Sequence, residues 1–143
     1  MAITQLSVFL ENVPGTLCKA VSAISGSGIN IRALSVADTR DFRIMRLIVP
    51  DVSKAKEILG DYTAAETKVI AVKMEDRTGA LKEILEVLEK AAINIEYVYA
   101  FAASVPGSAY VVLRVDDVDY AEAVLAKNDI PTLNDEDLIH LLP

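Results

Sequence analysis

Side chains able to do chemistry are scarce in this chain, and their scarcity excludes much. Cys18 is the single cysteine and His140 the single histidine. An intrachain disulfide, a cysteine-built zinc site and most histidine-based metal or acid–base schemes are therefore ruled out. Cys18 falls near the start of a helical pattern, where a helix N-terminus lowers a thiol's pKa. A small buried hydrophobe is the plainer reading of such a cysteine, and His140 has no visible catalytic partner. Asp116-Asp117-x-Asp119 and Asp135-Glu136-Asp137 offer oxygens suited to Mg²⁺ or Ca²⁺. They lack EF-hand spacing and stand where helix caps belong, so capping is expected and no metal is. Gly26-Ser27-Gly28 follows a helix instead of a strand, the wrong context for a phosphate loop. Arg46 shares a strand face with Phe42, Ile44 and Ile48, either as a bidentate partner for a ligand carboxylate or, more plainly, in an ion pair with Asp38 or Asp41. No residue is nominated as catalytic, and no cofactor is expected.

The positions that do stand out come in pairs. VFLENVPGTLCKAVSAISGSGINIRALSVA returns 64 residues later as VKMEDRTGALKEILEVLEKAAINIEYVYAF. Glu11 matches Glu75, Gly15 matches Gly79, Leu17 matches Leu81, and Ile29-Asn30-Ile31 matches Ile93-Asn94-Ile95. Asp51-Val52 then matches Asp117-Val118 at an offset of 66, a slip that a hairpin between Asp38 and Asp51 absorbs. Two copies fill the chain, with expected domains at residues 1–67 and 68–143. Copies this small are marginal alone, which favours their burying surface against each other, related by an approximate twofold.

The elements that must position these pairs follow from periodicity. Residues 3–10 alternate, with Leu6, Val8 and Leu10 on one face and Gln5, Ser7 and Phe9 on the other: a strand. Pro14 suits the start of a helix, which Leu17, Val21 and Ile24 continue at helical spacing, and Gly26 or Gly28 supplies the left-handed stop. Strands at 31–38 and 42–49 flank an Asp-Thr-Arg-Asp turn, and Asp51 or Ser53 caps the helix VSKAKEIL. The stretch 62–74 is strand, ending one copy and beginning the next. In the second copy Pro106-Gly107 is a type II turn pair, and a helix covers 118–127. A short strand and a helical turn capped by Asn134 close the chain. Strand, helix, strand, strand, helix, strand, twice over, is an α+β arrangement of two ferredoxin-like βαββαβ units, with antiparallel sheets and helices on one face. Val98 and Ala100 then point toward the helices. Tyr97, Tyr99 and Phe101 lie on the open face, where three aromatics call for a cover.

The segment Glu11-Asn12-Val13-Pro14-Gly15-Thr16-Leu17, an acid ending a strand before Pro-Gly and a helix, resembles the opening of an ACT domain. Glu75-Asp76-Arg77-Thr78-Gly79-Ala80-Leu81 is similar, closer to the family's Asp-Arg-x-Gly form. Gly28-Ile29-Asn30-Ile31 resembles the family's Gly-x-Asn-Ile element, and the second copy keeps Ile93-Asn94-Ile95 but has Ala92 in the glycine position. The resemblance spans essentially the whole chain, as a tandem pair with no catalytic domain attached. It implies paired units that bind a small ligand, most often an amino acid, where they meet, and that regulate an enzyme, transporter or transcription factor. It also implies a ligand site drawn from Asn12, Val13, Pro14, Gly15, Asn30 and Ile31 in copy one and Asp76, Gly79 and Asn94 in copy two. Copy one keeps the family pattern better.

Physical chemistry supports that carry-over. Glycine at 15 and 79 lets backbone approach a ligand without a Cβ in the way. First-turn N–H groups have no intrahelical partner and sit at the positive end of the helix dipole, where a carboxylate is welcome. An asparagine side chain meets both the ammonium and the carboxylate of a zwitterion. The plain alternative is that the glycines are turn residues and the asparagines close the helix.

Fourteen Lys and Arg against twenty-one Asp and Glu give a net charge of −7, which disfavours nucleic acid and anionic membrane as partners. No apolar run reaches the ~18–20 residues of a membrane span, and the first residues lack the features of a signal peptide. A cytoplasmic regulatory module that senses an amino acid, as a homodimer acting on a metabolic enzyme or regulator, is the leading expectation. A pure oligomerisation or docking module is the alternative. An acylphosphatase-like enzyme would need an arginine in its first loop; Asn12-Val13-Pro14-Gly15 has none, whereas the second copy has Arg77.

Overall fold

The computed structural model describes residues 2–102 and 106–137. Its elements run β1 (Ile3–Glu11), α1 (Thr16–Gly26), β2 (Ala33–Asp38), β3 (Phe42–Ile48), α2 (Val52–Ile58), β4 (Thr63–Glu75), α3 (Ala80–Lys90), β5 (Ile95–Ala102), β6 (Ser108–Val115), α4 (Val118–Lys127) and β7 (Thr132–Leu133). The βαββαβ pattern therefore occurs twice, and β4 ends one repeat and begins the next. His140 lies outside the described residues.

The chain divides into two compact units, one of Thr4–Thr67 and the other of Lys68 onward together with the residues up to Ile3. In the first, the strand order is β2-β3-β1-β4. β3 runs antiparallel to both β1, with Val8 opposite Met45, and β2, with Val36 opposite Met45. Leu6, Val8 and Leu10 join Ala20 and Ile24 of α1, Met45 and Leu47 of β3, and Ala55 and Leu59 in one core. In the second unit β4 pairs with β6 and β7, and β6 with β5, all antiparallel. Its core repeats the first: Ile70 and Val72, Ile84 and Leu88 of α3, Val111 and Leu113, Ala121 and Leu125. At ~25 cal/mol per Å² of apolar surface, these buried faces are what fixes each helix on its sheet.

Local differences from the sequence expectations have plain causes. Pro14 sits in the turn before α1, and the cap position goes to Gly15 at φ 89°, a conformation proline's ring forbids. Gly28, at φ 80°, is the left-handed stop, while Gly26 is the last helical residue. Cys18 is exposed, because the buried stripe of α1 runs through Ala20 and Ile24 and leaves position 18 facing outward. Asp38 pairs with Arg43, its opposite in the β2–β3 register. Val98 and Ala100 lie opposite Leu113 and Val111, both core residues, so they do take the helix face, yet Val98 stays exposed on its edge strand. Tyr97, Tyr99 and Phe101 are half-buried; Tyr97 stacks on Tyr99 at 6.4 Å and Phe101 on Tyr110 at 5.1 Å.

Candidate functional site

Helices α1 to α4 start in two different ways. α2 and α4 begin with an aspartate whose side chain accepts a backbone N–H: Lys54 donates to Asp51 at 3.0 Å and Tyr120 to Asp117 at 3.1 Å. α1 and α3 begin with a glycine, Gly15 at φ 89° and Gly79 at φ 88°, and no side chain caps either end. A Cβ at either glycine would meet nothing within 4 Å. These two positions combine a backbone that other residues adopt only under strain with open space above it and first-turn N–H groups that no side chain covers. The Asp116–Asp119 run is thus accounted for by a cap. Asn134 and Asp137 exchange backbone-to-side-chain bonds of 2.8 Å, the reciprocal pattern of a capping box. No metal-ligating cluster occurs among the described residues.

The loop into α1 is tied down by its own asparagine. Asn12 Oδ1 accepts from Arg43 Nη2 at 2.7 Å, and its Nδ2 donates to the Thr39 carbonyl at 3.3 Å. Arg43 Nε donates to Asp38 at 2.9 Å, completing a clasp between the loop and the β2–β3 hairpin. Asn12 therefore positions the loop, while Val13, Pro14 and Gly15 are its exposed part. At the equivalent place the loop into α3 has a backbone bond, Asp76 N–H to the Gly107 carbonyl at 2.9 Å, and the Asp76 side chain makes no hydrogen bond among the described residues. Here Arg77 braces the turn, donating to Glu75 at 2.7 Å and Glu83 at 2.6 Å. The Arg77 hydrogen bond, then its charge, holds the Glu83 carboxyl below its ordinary range. An arginine committed to two carboxylates is poorly placed to cradle a phosphate.

At the other end of α1, backbone N–H groups of Ser27 and Gly28 close the helix on Ile24 and Ser25. Ala91, Ala92 and Ile93 do the same for α3. The asparagines are not used as caps: Asn30 and Asn94 are exposed, and among the described residues neither side chain makes a hydrogen bond. Ile31 packs on the core beneath Asn30, as Ile95 does beneath Asn94. Asn94 lines a cleft of about 460 Å³ with Leu85, Glu89, Ala92, Ile93 and Ile95. Within one unit, then, the glycine loop and the asparagine stand at opposite ends of an eleven-residue helix, about 16 Å apart at 1.5 Å per residue.

The sequence profile of the ACT domain pair matches residues 1–142. The chain belongs to the ACT domain pair family. Its ACT fold is also that of a solved structure, protein BT0572 from Bacteroides thetaiotaomicron, at 35% identity and TM-score 0.90, covering 99% of this chain and 98% of that one. The regulatory subunit of aspartate kinase from Thermus thermophilus, in its ligand-free form, shares the fold at 17% identity and TM-score 0.66 over 90% of this chain and 92% of its own. The corresponding subunit from Thermus flavus does so at 17% and 0.62 over 88% and 90%. No functionally curated protein matches the chain. ACT domains are regulatory modules, and two of these fold neighbours are regulatory subunits. No helix among the described residues is long and apolar enough to cross a membrane.

Proposed function

We propose that this ACT pair is a non-enzymatic sensor, with residues 1–67 and 68–143 as its two functional copies, binding an amino acid or a similar small molecule and passing its occupancy to a metabolic enzyme or regulator in the cytoplasm. The observation that carries the reading is the contrast between helix starts. The chain caps α2 and α4 with aspartate but leaves α1 and α3 uncapped, behind glycines with open space above them. Unpaired N–H groups at a positive helix end suit a carboxylate, and the unused amides of Asn30 and Asn94 suit a zwitterion. Because a helix length separates the glycine loop from Asn30 in one copy, a small ligand touching both draws on two copies of the fold. In this reading the second copy is that of a partner chain, which makes the sensor a homodimer.

A second reading, a docking module without ligand, is favoured by Leu34 and Val36 on β2 and Val98 on β5, apolar side chains left exposed on strands that end their sheets. A thermal-shift screen of the twenty amino acids separates the two. A ligand at 100 times its Kd adds about 2.7 kcal/mol to stability, so at least one amino acid is expected to raise the melting temperature by several degrees. No shift at millimolar concentration favours the docking module.

A further inference from the structure

Arg32 is one of the positions at which the two copies reverse charge, its counterpart at the 64-residue offset being Glu96. It lies two residues beyond Asn30, half-buried, its backbone N–H held by the Ile48 carbonyl at 2.9 Å. Its Nε is shut off from solvent and has no hydrogen-bond acceptor, and among the described residues its guanidinium has no ion pair. A buried charged donor without a partner is costly, and three other arginines of the chain are held. Arg43 is held by Asp38 and Asn12, Arg77 by Glu75 and Glu83, and Arg114 by Glu96 at 3.2 Å and the Lys68 carbonyl at 2.8 Å.

The last pair is the informative one. Glu96 is the counterpart of Arg32 at the 64-residue offset. Arg114 lies opposite Tyr97, and Tyr97's counterpart Ala33 lies opposite Ile48, so Ile48 stands where copy two has its arginine. Copy two thus closes its charge internally. Copy one reverses the sign, replaces the counter-ion with a buried isoleucine and leaves the guanidinium facing no acid of its own. The planar fork of arginine matches a carboxylate bidentately, and the unused Asn30 amide stands two residues before it.

We propose that Arg32 is a carboxylate-binding residue of copy one, which with Asn30 makes the α1–β2 segment a receptor for a carboxylate-bearing small molecule. This deepens the sensor reading above and rests on it for the ligand being an amino acid. The acceptor is a carboxylate on a free small molecule, and a carboxylate from a second chain is the outcome that overturns the proposal.

The test follows the Arg32 Nε–H signal of the full-length, ¹⁵N-labelled wild-type protein. It is titrated with the twenty amino acids, their carboxamides, and acetate and succinate, with chloride as control. A saturable shift with at least one carboxylate, absent with the matching carboxamide, is expected. Arg32→Gln should bind that compound roughly ten- to 150-fold more weakly, with Arg32→Lys in between because it keeps the charge and loses the fork. If carboxylates without an α-amino group move the signal and amino acids do not, the amino-acid reading fails while the Arg32 assignment stands. If no carboxylate moves it, or Arg32→Gln binds like wild type, the assignment is wrong. It is equally wrong if Arg32→Gln changes the sedimentation coefficient of ligand-free protein, since the missing acid then belongs to a subunit contact.

Discussion

The two copies share a fold and differ in how they hold their loops. Copy one fastens its glycine loop to the neighbouring hairpin through the side chain of Asn12, clasped by Arg43 and Asp38. Copy two has Asp76 there and braces the turn from its own side with Arg77, Glu75 and Glu83. At the far end of the helix copy one turns on Gly28 at φ 80°, whereas copy two forces Ala92 to φ 58°. Copy one leaves an arginine without a counter-ion where copy two has a closed ion pair. Packing and the local aspartate caps are duplicated, and the long-range side-chain wiring is not. A core repeats whenever apolar residues recur at the same spacing, whereas each polar contact needs two particular partners and is lost when either changes.

The largest test of that statement concerns the duplicated part. Ile24 and Leu88 are counterparts, each fully buried in its own core. Truncating either to alanine should cost about 2–5 kcal/mol by denaturant unfolding. A much smaller effect in one copy would mean that its helix is packed less firmly than the other.

The unequal wiring predicts unequal costs. Asn12→Ala removes one of the two side-chain acceptors of Arg43 and should cost about 1–2 kcal/mol. Asp76→Ala, which makes no side-chain hydrogen bond among the described residues, should leave the melting temperature nearly unchanged. Equal losses at the two positions would break the comparison.

A smaller asymmetry follows from the helix stops. Gly28→Ala should destabilise by about 1 kcal/mol, since the added Cβ meets no atom and only the left-handed backbone is penalised. Ala92→Gly should be neutral to mildly stabilising, as relief of strain outweighs or offsets the added freedom of the unfolded chain. Calorimetric melting of both variants measures this.

The smallest effect is the acid response of the Arg77 brace. Glu83 has a lowered folded-state pKa, so its contribution is fully present above the ordinary Glu value, near 4.5, and is lost as the pH falls through the lowered value. Glu83→Gln should therefore lower stability slightly at pH 7, leave it unchanged at the acid end, and so flatten the stability profile between them. Both groups are exposed, so salt should weaken the effect.

Much of this architecture was legible in the sequence because it is written in periodicity. The alternation of Leu6, Val8 and Leu10, the helical spacing of Leu17, Val21 and Ile24, and the 64-residue recurrence name the elements and their order. The aspartate caps at 51 and 117 were legible too, since a cap is a local device. Long-range polar partners were not. That Asp38 meets Arg43 depends on hairpin register, and that Asn12 meets Arg43 depends on two loops converging. Cys18 illustrates the limit of composition, because which side of the helix it occupies decides its exposure. The role of Arg32 is not legible in sequence because its signal is a missing partner, visible only once its surroundings are known, although its reversal of charge relative to Glu96 is.

In the function proposed above, the uncapped glycine loop and the free asparagine of copy one serve ligand binding. Titration calorimetry with the amino acid that the thermal screen selects tests it most directly, comparing wild type with Asn30→Ala. Losing one buried hydrogen-bonding partner of a zwitterion costs about 1–3 kcal/mol, so a loss of affinity of roughly five- to 150-fold, at 1.4 kcal/mol per tenfold, is predicted, with an unchanged melting temperature for the free protein. Binding of that amino acid by Asn30→Ala with wild-type affinity would contradict the account.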